Sequence, residues 1–407
     1  MYIKRERYLQ KIRPFYDVDL IKVLTGVRRS GKSVLLSQIE EDFLSSGFAR
    51  DHIIRINFED YQFEKLRTAD TLNAFVTKQI TDNNKYLIFL DEIQHVRDFE
   101  KVLASFRATL NCSIFITGSN STLLSGKLAT LLVGRCIEFK ILPFSFSESY
   151  QYISGTGKKC TPDEFIQDYI NWGGFPLRFS FSRDEDIKRY LEQTYQGILD
   201  KDIITEKSHI DRQNFEKFAS YVMANAGKEF SGKSIESFFE SRNSVSLDKK
   251  TIYRYLDRME KACLIDRVGR FDISGKQAMA YHEKQYAVDT GFRMLNTNLM
   301  SFEETFFLEN IIYNELKARD YEVFVGKTYK GEVDFVVING KKKCFIQVSY
   351  LLAGKETIDR EFGAYKPIRD ASPKYVMSLD RFDYSRDGIA HINIVDFLMG
   401  KTDIVLS

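Results

Sequence analysis

Apolar runs and helical stretches take turns along the first third of the chain. Ile21 to Leu24 is a short apolar strand, followed by a helix from Lys32 to Leu44. His52 to Phe58 reads as a second strand and Thr71 to Thr81 as a helix. Tyr86 to Leu90 is an unbroken apolar run, which predicts a central strand covered on both faces. A helix from Phe99 to Leu110, a strand from Ser113 to Thr117 and a fifth strand from Cys136 to Ile141 complete the series. Strands alternating with helices predict an α/β fold: a doubly wound parallel sheet with its site at the strands' carboxyl ends. Ahead of it, Met1 to Asp19 reads as a basic, aromatic-bearing helix that would lie beside an adenine.

The turn between the first strand and its helix is Gly26, Val27, Arg28, Arg29, Ser30, Gly31, Lys32 and Ser33. It satisfies G-x-x-x-x-G-K-[ST] in full, in the strand-to-helix setting that the motif requires. Backbone N–H groups and a helix N-terminus aimed at negative charge are what a triphosphate needs, with glycine where a side chain would block approach. Lys32 is assigned to the β and γ phosphates and Ser33 to Mg²⁺. The side chains of Arg28 and Arg29 either clamp phosphate or face solvent. The run Tyr86 to Leu90 ends in Asp91 and Glu92, the first acid placed to hold the magnesium ion, the second to polarise an attacking water. That pair favours ATP hydrolysis over small-molecule phosphorylation, and the chain has no Asn-Lys-x-Asp for reading guanine. Ser119 or Asn120, after the fourth strand, falls where the γ-phosphate is sensed or the water oriented; an ordinary Gly-Ser-Asn turn is the plainer alternative. Arg135, before the fifth strand, either reaches the nucleotide of a neighbouring subunit in a homo-oligomer or is a surface arginine.

Composition narrows this reading. With 43% hydrophobic and 29% charged residues in 407, the chain reads as an ordinary soluble protein of several domains. A formal charge of +2 means that any nucleic-acid surface must be local. Scattered cysteines without a C-x-x-C suit reduced thiols, and dispersed histidines suggest no protein metal site. No apolar run approaches a membrane span and the N-terminus is too charged for a secretory leader, so the expectation is cytoplasmic, with no membrane partner.

Pro143 breaks the alternating pattern, and PFSFSESY opens a helical segment. Farther on, Phe215 to Asn225 and Gly232 to Glu240 have helical spacing, and Ser246 is placed to cap a third helix running to Leu264. On that helix Ile252, Leu256, Met259 and Cys263 share one face, while Lys250, Arg254, Arg258 and Lys261 share the other. Strand-like pieces from Ile265 to Phe271 and Met279 to Val288 complete the outline of a winged helix, with the basic face either contacting DNA or simply solvated. In the last hundred residues Glu309 sits on a helix, Asp334 ends GEVD on a strand, Asn339-Gly340 makes a tight hairpin turn, and CFIQVSY returns. Tyr375 to Ser378 and Ile392 to Val395 are further strands.

The motifs LTGVRRSGKS, LIFLDEIQHV, ITGSNSTLLSGKLATLLVGR, LPFSFSES and NWGGFP together resemble an AAA-type ATPase family of bacteria and archaea. That family is similar to the signal-transducing ATPases with numerous domains and carries a C-terminal domain of uncharacterised function. The resemblance implies site roles for Lys32, Ser33, Asp91, Glu92, Ser119 and Arg135, and a nucleotide-sensing turn in a helical lid at Trp172 to Pro176. The helix acid, strand Asp and return strand resemble the restriction-endonuclease fold, whose active members carry Glu-x-Lys after the Asp. Here Gln347-Val348-Ser349 stands instead. Gln347 keeps an oxygen but lacks a charge, and only Lys355, on a loop folding back, could replace the missing lysine. Nuclease activity is therefore not expected. The organisation expected is a P-loop core over 1–142, a helical lid over 143–200, a winged helix over 201–295 and a restriction-endonuclease-like domain over 296–407. The function expected is an Mg²⁺-dependent ATPase acting as a switch or motor. Its rivals are a nucleotide-gated DNA-binding protein with negligible turnover and an ATP-licensed nuclease.

Overall fold

The computed structural model describes residues 2–119, 132, 134–204, 210–230, 232–241, 247–297 and 303–407. The chain divides into two compact units: Tyr2–Pro143 with Lys261–Cys263, and the remainder from Phe144 onward.

In the amino-terminal unit, α1 (Glu6–Ile12) leads to β1 (Ile21–Thr25), α2 (Lys32–Ser45) and β2 (Ile53–Asn57). α3 (Ala69–Gln79), β3 (Tyr86–Asp91), α4 (Phe99–Thr109), β4 (Cys112–Thr117) and β5 (Cys136–Lys140) follow. The sheet order is β2-β3-β4-β1-β5, and its registered pairs are parallel. β1 and β3 are buried along their whole length; in β3 the unbroken apolar run Tyr86 to Leu90 demands it, whereas β1 also encloses Lys22. Because successive side chains point to opposite faces, each strand feeds two cores. Val23, Ile88, Leu90 and Ile116 pack under α3 and α4. Leu24, Leu87, Phe89 and Phe115 pack under α1 and α2, with Phe89 and Phe115 stacked at 5.0 Å.

The carboxy-terminal unit opens with α5 (Phe146–Gly155), α6 (Pro162–Trp172) and α7 (Asp184–Ile198). Ser145 and Thr161 start the first two of these through capping boxes closed by Glu148 and Glu164. α8 (Arg212–Ala224), α9 (Gly232–Ser241) and α10 (Lys249–Lys261) precede β6 (Ile265–Asp272), β7 (Gln277–Ala287) and α11 (Thr290–Asn296). The start of α10 is set by Asp248, whose carboxylate accepts from the Thr251 N–H at 2.9 Å; Ser246 lies outside the described residues. After α12 (Glu304–Ala318) come β8 (Glu322–Thr328), β9 (Gly331–Asn339), β10 (Lys342–Val348), α13 (Lys355–Gly363), β11 (Lys374–Ser378), β12 (Ala390–Asn393) and α14 (Ile394–Leu398). The last expected strand thus stops at Asn393, whose side chain caps α14, and Val395 is helical.

One seven-stranded sheet, ordered β12-β11-β10-β9-β8-β6-β7, runs through this unit. The hairpin read as a wing is therefore its edge: β6 pairs parallel with β8 at Arg270 to Asp272. The Trp172 to Pro176 turn is also tied down inside this unit. Asp289 accepts from the N–H groups of Gly174 at 2.7 Å and Gly291 at 2.8 Å. Burial pushes its carboxyl up to about 6. A Cβ on Gly173 would lie 1.8 Å from Asp289 Oδ1, and one on Gly174 2.0 Å from the Phe144 carbonyl, so the turn tolerates only glycine at both positions.

Candidate functional site

The phosphate-binding loop joins the carboxyl end of β1 to α2. Gly26 has φ 138°, and a Cβ there would sit 2.2 Å from the Ile141 carbonyl oxygen. Arg29 and Gly31 are also left-handed, at φ 71° and 98°, which turns the loop back on itself. α2 then begins with no side-chain cap, so its first N–H groups remain available to an anion. Lys32 is 4% exposed, and its ammonium donates to the carbonyls of Gly26 at 2.9 Å and Val27 at 3.1 Å. Burial lowers its pKa; Glu92 and Asp91 oppose that shift, and Arg28 adds to it. Among the described residues the buried Ser30 Oγ has no hydrogen-bond partner, an orphan donor at the cradle. Such a donor is what an incoming phosphate oxygen would satisfy.

β4 lies between β1 and β3, so Ser119, Asp91 and the loop share the sheet's carboxyl edge. Thr117 organises the acids: its hydroxyl donates to Asp91 Oδ1 and accepts from the Glu92 N–H at 2.9 Å. Glu92 itself is left-handed at φ 56° and 7% exposed, a conformation costly for a non-glycine residue and often kept at functional sites. Its carboxylate accepts from the Gln94 side-chain amide. Ser119 is buried and takes a bond from Arg28 Nη2 at 3.4 Å, while Arg28 Nη1 lies 3.3 Å from Glu59 Oε1. Hydroxyl and carboxylate oxygens, as on Ser33 and Asp91, are the donors that Mg²⁺ takes. Bound there, the ion would neutralise charge on the β and γ phosphates.

Not every expected residue comes to this edge. Arg135 precedes β5, and its carbonyl accepts from the Ile21 N–H at 2.9 Å, so it sits at the amino end of the strands. With about 3.3 Å per strand residue, the length of β1 separates it from its own phosphate loop. Asn120 lies outside the described residues. On α10 the stripe Ile252, Leu256 and Met259 is buried, with Tyr255 added; Lys250, Arg254 and Lys261 are exposed and Arg258 is half-buried. Cys263 lies beyond the helix, left-handed at φ 56°. Lys261 and Cys263 group with the amino-terminal unit.

The second acidic constellation is closed around a cation. Glu309 from α12 and Asp334 from β9 do come together, yet Lys284 from β7 lies between them, 2.8 Å from Glu309 and 3.9 Å from Asp334. Glu332 joins it at 2.5 Å, and the Tyr286 hydroxyl donates to Glu309 at 2.5 Å. Burial alone would lower the Lys284 pKa, but Glu309, Asp334 and Glu332 outweigh it and hold the ammonium charged far above neutral pH. Asp334 is pushed well up by burial and by Glu309. One of its oxygens accepts from the Val348 N–H at 2.8 Å, and Gln347 turns its oxygen to the Asp334 N–H at 3.3 Å. The cation beside these acids is therefore Lys284, and Lys355 opens α13 as an exposed residue. Among the described residues no group of three or more His, Cys, Asp or Glu is arranged to hold a metal ion.

Comparison with known proteins agrees with the phosphate-loop geometry. Residues 19–150 match a family model described as an AAA domain, and residues 163–302 match one described as a Domain of unknown function (DUF8612). The sheet and loop described above are thus those of an AAA domain. The whole chain belongs to one family with an uncharacterized protein of Haemophilus influenzae, being 32% identical to it over 403 residues, 98% of each chain. An uncharacterized protein of Methanocaldococcus jannaschii is 31% identical over 390 residues, 92% of this chain and 85% of that one. Among solved structures, AMPPCP-bound DnaA from Aquifex aeolicus is similar over 64% of this chain and 89% of that chain, at 12% identity and a TM-score of 0.35. Among the described residues, no helix is long and apolar enough to cross a membrane.

Proposed function

We propose that the amino-terminal unit binds and hydrolyses Mg²⁺·ATP and that the carboxy-terminal unit is the output of that cycle. The observation that carries this reading is the convergence of a full phosphate loop with Asp91 and Glu92 on one sheet edge, with Thr117 fixing both acids. Lys32 neutralises phosphate charge, Ser33 and Asp91 hold the magnesium ion, and Glu92 accepts the proton of the attacking water. Ser119 senses the γ-phosphate, so its loss on hydrolysis removes contacts and biases a two-state arrangement. Arg135 stands at the opposite end of the strands from its own site and serves a neighbour's nucleotide in a homo-oligomer.

The test is ATP turnover by the purified chain. Glu92→Gln should lower kcat by about 10²–10⁴-fold, the range of general-base loss, while a fluorescent ATP analogue still binds. Unchanged turnover in that variant would overturn the assignment.

DNA is the output partner that α10 favours. Arg267 pairs with Asp257 and Glu260, which takes the acids of this helix out of play and leaves Lys250, Arg254 and Arg258 without an ion pair among the described residues, Arg254 lying 5.7 Å over the Tyr255 ring. Turnover measured with and without duplex DNA, across salt, checks this: stimulation should fade as salt screens the phosphates. A nuclease role is not proposed, because Lys284 already neutralises Glu309 and Asp334.

A further inference from the structure

We infer that Arg28 is a γ-phosphate ligand supplied in cis, held ready across the mouth of the site by Glu59 and Ser119. The inference rests on the ATPase reading above and goes beyond it, since the phosphate-loop motif leaves this position free to be any residue.

In the order β2-β3-β4, whatever bridges the ends of β2 and β4 must pass over the end of β3. Glu59 follows β2 by two residues, and Ser119 follows β4 by two. The Arg28 guanidinium has one nitrogen 3.3 Å from Glu59 and another 3.4 Å from Ser119. It therefore spans the carboxyl end of β3, where Asp91 and Glu92 stand. The group that a terminal phosphate meets above those acids is thus a planar cation able to make two parallel hydrogen bonds.

The contacts to Glu59 and Ser119 are long, and the Glu59 side chain is 53% exposed, so the Glu59 pair is of the weak, surface kind. A dianionic phosphoryl oxygen set competes with it easily. Arg28 also explains how a site whose Arg135 stands at the far end of the strands can still respond to the third phosphate within one chain. Its neighbour Arg29 differs: it is exposed and contributes a left-handed backbone to the loop.

The experiment compares a fluorescent non-hydrolysable ATP analogue with fluorescent ADP on the full chain. For Arg28→Ala the triphosphate should bind about tenfold or more weakly, the loss expected of a charge-assisted bidentate contact, while ADP affinity stays within about twofold. Arg28→Lys should fall between, because it keeps the charge without the fork. Turnover should fall with the triphosphate affinity in the same order. If the wild type binds both probes and Arg28→Ala loses both alike, or neither, Arg28 only shapes the loop and the inference fails. If the wild type binds neither, the ATPase reading fails first. Arg28 is partly exposed, and a melting curve will show whether the alanine variant folds; should it not, the lysine variant carries the same comparison.

Discussion

Two buried lysines, Lys32 and Lys284, each stand near acidic residues, and their surroundings send them in opposite directions. Lys32 rests on the carbonyls of its own loop, with Asp91 and Glu92 close enough to be felt but not bonded to it. Lys284 is bonded directly into carboxylates from α12 and β9. The first is a cation waiting for an anion; the second has its anions already. Neutral partners leave a buried ammonium underpaid, so it gains by meeting phosphate. Carboxylate partners leave it nothing to gain. An acidic cluster in a sequence therefore marks a reactive site only if no internal cation has filled it.

Breaking the second arrangement should give the largest effect. Lys284→Met leaves Glu309 without its bonded cation and Glu332 with Lys327 alone, at 3.1 Å, and removing one partner of a buried ion pair costs about 3–5 kcal/mol. Denaturant unfolding should show that loss at neutral pH. Combining Lys284→Met with Glu309→Gln should recover part of it, since one buried negative charge is removed together with the positive one. A double variant no more stable than the single one would show that Lys284 holds the unit through its stem rather than its charge.

Lys32→Met should behave otherwise. The lost bonds are to carbonyls, and the removed ammonium is one that burial already disfavours, so the change in stability should lie within about 1 kcal/mol. Nucleotide affinity should fall at the same time, by tenfold or more on an order-of-magnitude view of a lost charge–phosphate contact. A Lys32→Met protein that melts early, with its nucleotide affinity intact, would mean that the two lysines do the same structural work and that the comparison is empty.

How much of this was legible beforehand follows from sequence distance. The phosphate loop, Asp91 and Glu92 are local motifs, each readable within a dozen residues, and the two-faced burial of β3 is written in its unbroken apolar run; that of β1, which encloses Lys22, is not. Thr117 was missed because its role depends on β4 lying beside β3, which no single segment states. Lys284 stands 25 residues before Glu309 on a strand that read locally as a wing. Period-2 alternation reveals a strand but not the sheet it will join, so the hairpin was assigned to a winged helix while it in fact extends the terminal sheet. The lysine that neutralises these acids precedes them in the chain, whereas the Glu-x-Lys pattern points downstream, to Lys355.

A third lysine sharpens the rule at the smallest scale. Lys22, on β1, is fully enclosed, and its ammonium donates to the Val18 carbonyl at 2.9 Å, Ser113 Oγ at 2.7 Å and the Tyr16 carbonyl at 3.4 Å. These hydrogen-bond partners are neutral, and burial, with the nearby Lys85 charge adding to it, lowers its pKa to about 8. Below that pH it is charged in both the folded and unfolded states, and folding bears the cost of enclosing it. Between about 8 and the ordinary lysine value of about 10.4 the folded protein has released the proton while the unfolded chain still holds it, so stability contributed by this group rises with pH. Lys22→Met should remove that rise. Its loss leaves little unpaired, because the Ser113 hydroxyl still donates to the Tyr16 carbonyl at 2.7 Å. The measurement is the difference in unfolding free energy between wild type and variant from pH 7 to 10.5, made in a Cys112→Ser background because the Lys22 charge lowers the Cys112 thiol pKa and that coupling would not cancel. A flat difference would mean that backbone carbonyls alone can hold an enclosed ammonium charged, and the contrast between Lys32 and Lys284 would then need a cause other than the charge of their partners.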